Sequence, residues 1–351
     1  MERQLPVRRD GAIDLAKSLA MCAVLFIHCS AGHFANFTVG ANRWLAADFY
    51  GSAGRWAVPV FLMCSGALMN DPARDLPLKK LFSRYVLRLL AAFAAWSVFY
   101  EVFRISIRQE SAPVGELLAH AAENLFYCRP YYHLYFFYFV FALYLTLPLT
   151  RLAAKYASAE EMKYILLAWM LAGGVLRFLK YFWPLNQSGD YSLKYFVLSS
   201  GATCPGLGLL GWYMRCHPPK SWTSGLLLLT GGLAVTALGT WRRSAAAGTL
   251  DIFYLDAFAL FVLVMGVGVF RLCQWAAAHW EQPPEALRFL SSASFCVYLV
   301  HPVFQHLAAP DWFLSMPVYW SVPLQVLLLL ILSLAVYWLL SRVPAVRRWL
   351  I

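Results

Sequence analysis

Long apolar runs recur along the whole chain, separated by short polar stretches. They cover residues 12–35, 52–70, 81–104, 131–150, 160–182, 193–214, 221–241, 251–273, 286–308 and 319–341. Each is near the ~20 residues with which an α-helix crosses about 30 Å of hydrocarbon. In lipid the backbone must satisfy its own hydrogen bonds, so runs of this length predict helices. The pattern therefore predicts an all-α polytopic membrane protein of ten helices. No loop is long enough for a folded soluble domain and no internal repeat is visible, so residues 1–351 read as one transmembrane domain. The longest loop, 105–130, begins with the polar stretch Arg108-Gln109-Glu110-Ser111. It continues with Leu117, Leu118, Ala121 and Leu125 at helical spacing, which predicts an amphipathic helix on the membrane surface.

Composition agrees: 61% of residues are hydrophobic and 13% charged. A net charge of +11 first suggests nucleic acid, but the basic residues lie in short loops beside apolar spans. Membrane orientation accounts for them better. An even number of helices puts both termini on one face, and the loops of that face hold the larger share of lysine and arginine, including Arg3, Arg8, Arg9, Lys79, Lys80, Arg151 and Arg215. Both termini are therefore expected in the cytoplasm. The first apolar run follows Arg3, Arg8 and Arg9 but no small-residue cleavage site ends it, so it reads as a retained helix. The eight cysteines, Cys128 among them, form no C-x-x-C pair and mostly lie within apolar runs, which supports neither a zinc site nor a disulfide framework. No metal and no nucleic-acid partner is expected.

Ionisable residues inside apolar runs carry the functional signal, because burying them in lipid is costly. The first helix contains Asp14, Lys17 and His28. The eleven-residue step from Lys17 to His28 returns to within about 20° of the same face and spans about 16 Å along the axis. Asp14 lies about 21 Å from His28, too far for a dyad within one helix. Asp14 and Lys17 also fit a plainer role as anchors at the interface, which His28 lies too deep to share. In the third run, Lys79 and Lys80 precede Arg84 and Arg88, whose i, i+4 spacing stacks two guanidinium groups. Such forks match phosphate oxygens, although the ordinary basic belt also explains the lysines and Arg84. Arg55 opens the second run, which ends in the small pair Ser65-Gly66, suited to close helix packing. His133 stands among the tyrosines Tyr131, Tyr132 and Tyr135, where an aromatic belt needs no histidine. Ser294, Tyr298 and His301 align at helical spacing in the ninth run, suited to sugar hydroxyls or to structural hydrogen bonds.

Taken in order, these segments resemble the bacterial membrane acyltransferase 3 family. The matches are Ile13-Asp14-Leu15-Ala16-Lys17 with Phe26-Ile27-His28, Val58-Pro59-Val60-Phe61 through Ser65-Gly66, and the basic third helix. Tyr132-His133-Leu134-Tyr135-Phe136-Phe137 and Ser294-Phe295-Cys296-Val297-Tyr298-Leu299-Val300-His301 complete them. Lys17 stands where that family usually has Arg, Ser18 where it often has Gly, and Arg84 and Arg88 are four residues apart rather than three. The short-loop form looks like the branch that O-acetylates surface polysaccharides.

The resemblance implies a bacterial inner- or plasma-membrane enzyme that moves an acetyl group from cytoplasmic acetyl-CoA to a hydroxyl of a glycan or lipid-linked saccharide. Arg84, Arg88 and Lys17 would then hold the donor, His28 would act as base or as acyl carrier, and Tyr132, His133, Arg55 and His301 would receive the acceptor. Asp14, Ser65, Gly66, Ser294 and Tyr298 would support them. Two other readings of the same polar stripe stay open: a transporter of a small polar metabolite, and a membrane sensing or binding module. Assembly into a homo-oligomer is also open.

Overall fold

Each apolar run contains helix among the residues that the computed structural model describes, 9–108, 113–127, 129–179, 200–307 and 312–351. Among these residues there is no strand. Arg3, Arg8, Gln109, Glu110, Ser111, Cys128, Lys180, Lys194 and residues 193–199 of the sixth expected helix lie outside the described residues.

Helix α1 (Gly11–Asn36) begins at Asp10, whose carboxylate accepts from the backbone N–H groups of Ala12 and Ile13 and so caps two otherwise orphaned donors. It is followed by α2 (Asn42–Gly54), α3 (Ala57–Met69), α4 (Leu78–Ile107), α5 (Val114–Phe126) and α6 (Phe136–Tyr156). Next come α7 (Ala159–Met170), which runs on through a π-turn at Leu171–Val175, then α8 (Ser200–Cys216) and α9 (Thr223–Ala247). The chain ends with α10 (Leu260–Ala277), α11 (Glu285–Leu307), α12 (Val318–Leu340) and the short α13 (Pro344–Trp349). Among the described residues, seven helices have both the length and the apolarity to cross a membrane, against the ten expected. Helices α3, α7 and α8 are shorter. The surface helix expected in the longest loop is α5, whose residues are mostly exposed.

The second expected span departs from a single helix over 52–70. Pro59 has no N–H for the carbonyl of Arg55, four residues back, and its ring would crowd that carbonyl. The helix accordingly breaks at Arg55–Trp56 and restarts as α3. Helix α3 is buried nearly all round, with Val58, Val60, Leu62, Met63 and Ala67 in the core.

Helix α1 is the hub of the bundle, packing against α2, α3, α10, α11 and α12. Lipid gives helices no hydrophobic reason to associate, so close backbone contact through small residues does the packing. Gly66 of α3 meets Gly208 of α8 backbone to backbone, and Gly225 of α9 meets Gly268 of α10 in the same way. Aliphatic side chains such as Leu145, Leu149 and Leu152 on α6 and Leu327 and Ile331 on α12 remain exposed, as lipid-facing side chains are. Among the described residues Cys22, Cys29, Cys64, Cys216, Cys273 and Cys296 are free thiols.

Candidate active site

A cavity of about 550 Å³ runs between α1, α3, α4, α6 and α11. One face of α1 forms its floor through Lys17, Val24, His28 and Ala31. These residues follow i, i+7, i+11 and i+14, so the stripe expected from the sequence exists and joins the two ends of one cavity. Lys17, Arg88, Tyr85 and Tyr144 mark one end, and His28, Tyr132, His133, Tyr135 and Arg55 the other. Between them the walls are largely apolar, with Val58, Phe61, Leu89, Phe136, Val140 and Phe295. Ser65 and Ser294 also line it.

The charge of this space is one-sided. Lys17, Arg55 and Arg88 line it, and none of its described lining residues is an aspartate or glutamate. Arg88 donates to the backbone oxygen of Ile351, and Trp96 donates to that of Leu350, which pins the end of the chain against α4. The Nε of Arg55 is buried and has no hydrogen-bond partner. Cations among apolar walls with no lining carboxylate suit an anionic guest, because the guest supplies the compensation that the lining does not.

Arg84 does not line the cavity. The cavity face of α4 is Tyr85, Arg88, Leu89 and Ala92. Arg84 lies in the π-helical turn Leu81–Val86, where this face begins, but is not one of its lining residues. Arg84 is exposed. The i, i+4 spacing did place the two arginines side by side on the helix, but only one of them turns inward. Asp14 is also outside the cavity. It pairs with Arg9 and accepts a 2.6 Å hydrogen bond from Ser291, tying α1 to α11. Gly66 contributes through its contact with Gly208 rather than by lining the cavity.

At the histidine end, three imidazoles converge from three separate segments. The His28 ring lies 5.0 Å from His301 and 5.1 Å from Tyr132, centre to centre, and His133 lies 5.5 Å from His301. His301 is held by the chemistry of its neighbour. Pro302 has no N–H to give the carbonyl of Tyr298, and the Nδ1 of His301 lies 2.8 Å from that carbonyl and 3.1 Å from that of Val297. Two carbonyl acceptors require Nδ1 to carry the proton, so Nε2 keeps its lone pair. That Nε2 is buried without a partner.

Helix α11 sets the rest through a polar stripe at positions 291, 294, 298, 301 and 305. Tyr298 donates to the backbone oxygen of His133 at 2.8 Å. Gln305 donates to the backbone oxygen of His28 at 2.8 Å and accepts from the Tyr132 hydroxyl at 3.0 Å. Reading the sequence found Ser294, Tyr298 and His301 but missed Ser291 and Gln305. Extending the same i, i+4, i+7 spacing one helical step each way would have reached both. Tyr85, Tyr135 and Tyr144 were also missed, because tyrosines near a membrane surface are expected without any site.

The arrangement suits transfer of a group from an anionic carrier to a hydroxyl. The basic end offers an anchor, the apolar passage excludes water, and His28 offers an imidazole whose neighbours are other imidazoles and a tyrosine. Among the described residues no cluster of His, Cys, Asp and Glu is arranged to hold a metal ion.

No curated protein and no solved structure matches the chain. The family model described as an acyltransferase domain, of the acyltransferase 3 type, matches residues 10–342. That range takes in every residue of the cavity. The chain is a multi-pass membrane protein of the acyltransferase 3 family and an acyltransferase.

Proposed function

We propose that this acyltransferase is an O-acetyltransferase. It takes an acetyl group from acetyl-CoA on the cytoplasmic side of a bacterial cytoplasmic membrane and delivers it to a hydroxyl of an extracytoplasmic glycan or lipid-linked saccharide. The observation that carries this reading is the single cavity with Lys17 and Arg88 at one end and His28 at the other. Phosphates of the donor would bind at the basic end, where guanidinium and ammonium groups match them. The slender pantetheine arm would follow the apolar passage and bring the thioester to His28, about 16 Å further along α1.

At that point the acceptor hydroxyl attacks the thioester carbonyl while His28 takes its proton. The new C–O bond forms, the C–S bond breaks, and the imidazolium returns the proton to the departing sulfur, leaving the ester and the free thiol of coenzyme A. No lining carboxylate orients His28. Its position is set instead by the His301 ring and by Gln305 bonding its backbone oxygen. Arg55, on the same end, is placed to stabilise negative charge developing on the thioester oxygen.

The test is transfer of labelled acetyl from acetyl-CoA to envelope glycan by the purified protein, with calorimetry of donor binding alongside. His28→Ala is expected to lower the rate by about 10²–10⁴-fold, the usual contribution of a general base, while donor affinity stays near wild type. Full transfer activity in His28→Ala would remove His28 from the mechanism. Wild-type protein that is folded yet binds no acetyl-CoA would remove the donor.

A further inference from the structure

A second cavity, of about 600 Å³, lies behind the histidine end, between α4 and α5, and its lining is of another kind. Glu101 and Arg104 come from α4, Glu123 and Asn124 from α5, and Arg129 and Tyr131 from the link to α6. Two arginines face two glutamates here, whereas the reaction cavity has three cations and no lining carboxylate. A charge-balanced lining disfavours a phosphate, which would meet both carboxylates, and suits a neutral ligand rich in hydroxyls. Glu101 is only 7% exposed, accepts from Arg104 at 2.8 Å and from Asn124 at 3.1 Å, and so stands as a fixed acceptor. Ser97 also lines this space; its hydroxyl is buried and has no partner. A buried hydroxyl left unsatisfied is costly unless a ligand or water completes it.

The two cavities share a wall. Tyr132 lines both. Ring centres step from Tyr131 to Tyr132 in 5.0 Å and from Tyr132 to His28 in 5.1 Å. A ligand seated on Tyr131 is therefore one aromatic residue away from His28. Flat aromatic faces beside fixed planar acceptors and donors are suited to a sugar ring, which presents C–H groups on its face and hydroxyls at its edge.

We infer that this cavity is a subsite for a neutral saccharide unit of the acceptor. It positions a sugar residue beside the reacting hydroxyl, with Glu101, Asn124 and Ser97 reading hydroxyls and Tyr131 stacking on the ring. The inference rests on the glycan acceptor proposed above. It adds that α5, a surface helix outside the reaction cavity, selects the acceptor.

The experiment uses the purified full chain, labelled acetyl-CoA and delipidated envelope polysaccharide from the source cells as the probe acceptor. Two variants alter the cavity in opposite ways: Glu101→Gln removes the fixed acceptor charge, and Asn124→Trp fills the space. Each is expected to raise the KM for polysaccharide by about tenfold, close to 1.4 kcal/mol, with kcat and acetyl-CoA affinity within about twofold of wild type. Asn124→Trp protein with a wild-type KM overturns the subsite whatever Glu101→Gln does. Wild-type protein that binds acetyl-CoA but transfers nothing to any glycan overturns the glycan reading itself, and the two failures are thereby distinguished.

Discussion

Gly66→Ala should damage both the stability and the activity of this enzyme, although Gly66 touches no substrate. A Cβ built on Gly66 would stand 2.0 Å from Cα, 2.2 Å from O and 2.4 Å from C of Gly208. All three are main-chain atoms of α8, so no side chain can rotate away. Restoring contact distances of about 3.5 Å requires the helices to part by about 1 Å or more. Overpacking of this kind costs about 1–3 kcal/mol, and rigid backbone puts the change at the upper end. The better helix propensity of Ala returns about 1 kcal/mol. The net loss is about 2 kcal/mol, a factor of about 30 in the folding equilibrium. Activity falls as well, because Ser65, Phe61 and Val58 of the same helix line the reaction cavity. Misplacing a site by about 1 Å can cost about 10²-fold in rate. The assay is the midpoint of denaturant-induced unfolding in detergent, with acetyl transfer measured on the same samples. Gly231→Ala is the control, since a Cβ there meets nothing within 4 Å and should be neutral or mildly stabilising. A Gly66→Ala protein with wild-type midpoint and rate would refute the argument from close packing.

Other outcomes separate the roles of neighbouring residues. Arg88→Ala should weaken acetyl-CoA binding by about tenfold or more, whereas Arg84→Ala should leave it within about twofold, because a charge-assisted hydrogen bond to a phosphate is worth about 1.5–3 kcal/mol and only Arg88 faces the cavity; calorimetry on the two variants decides it. Tyr298→Phe removes the donor to the His133 backbone oxygen and should destabilise the protein by about 1 kcal/mol while loosening His133. Its unfolding midpoint and the KM for the acceptor report the two effects separately.

Much of the architecture was legible in the hydropathy pattern, because lipid forces each span to satisfy its own backbone. Each run contains helix among the described residues, and the amphipathic spacing around Leu117 and Leu125 predicted α5. The stripe from Lys17 to His28 was also legible, since helical periodicity alone fixes which residues share a face. So was the close packing at Gly66, where a small residue in an apolar run has little other use. The tertiary structure decided what no local pattern contains. Arg84 and Arg88 are neighbours by spacing, but only the packing of α4 against α6 and α13 determines that the cavity face passes through Arg88 and leaves Arg84 outside. The run 52–70 reads as one helix, and only the fold shows that it breaks before Pro59 and delivers Arg55 into the cavity beside His28. His28, His133 and His301 are far apart in sequence, and the loop charges put all three near one face of the membrane without bringing them into contact. Their convergence depends on α11 lying against α1 and on Gln305 and Tyr298 fixing the backbones of His28 and His133, contacts made between helices and invisible within any one of them.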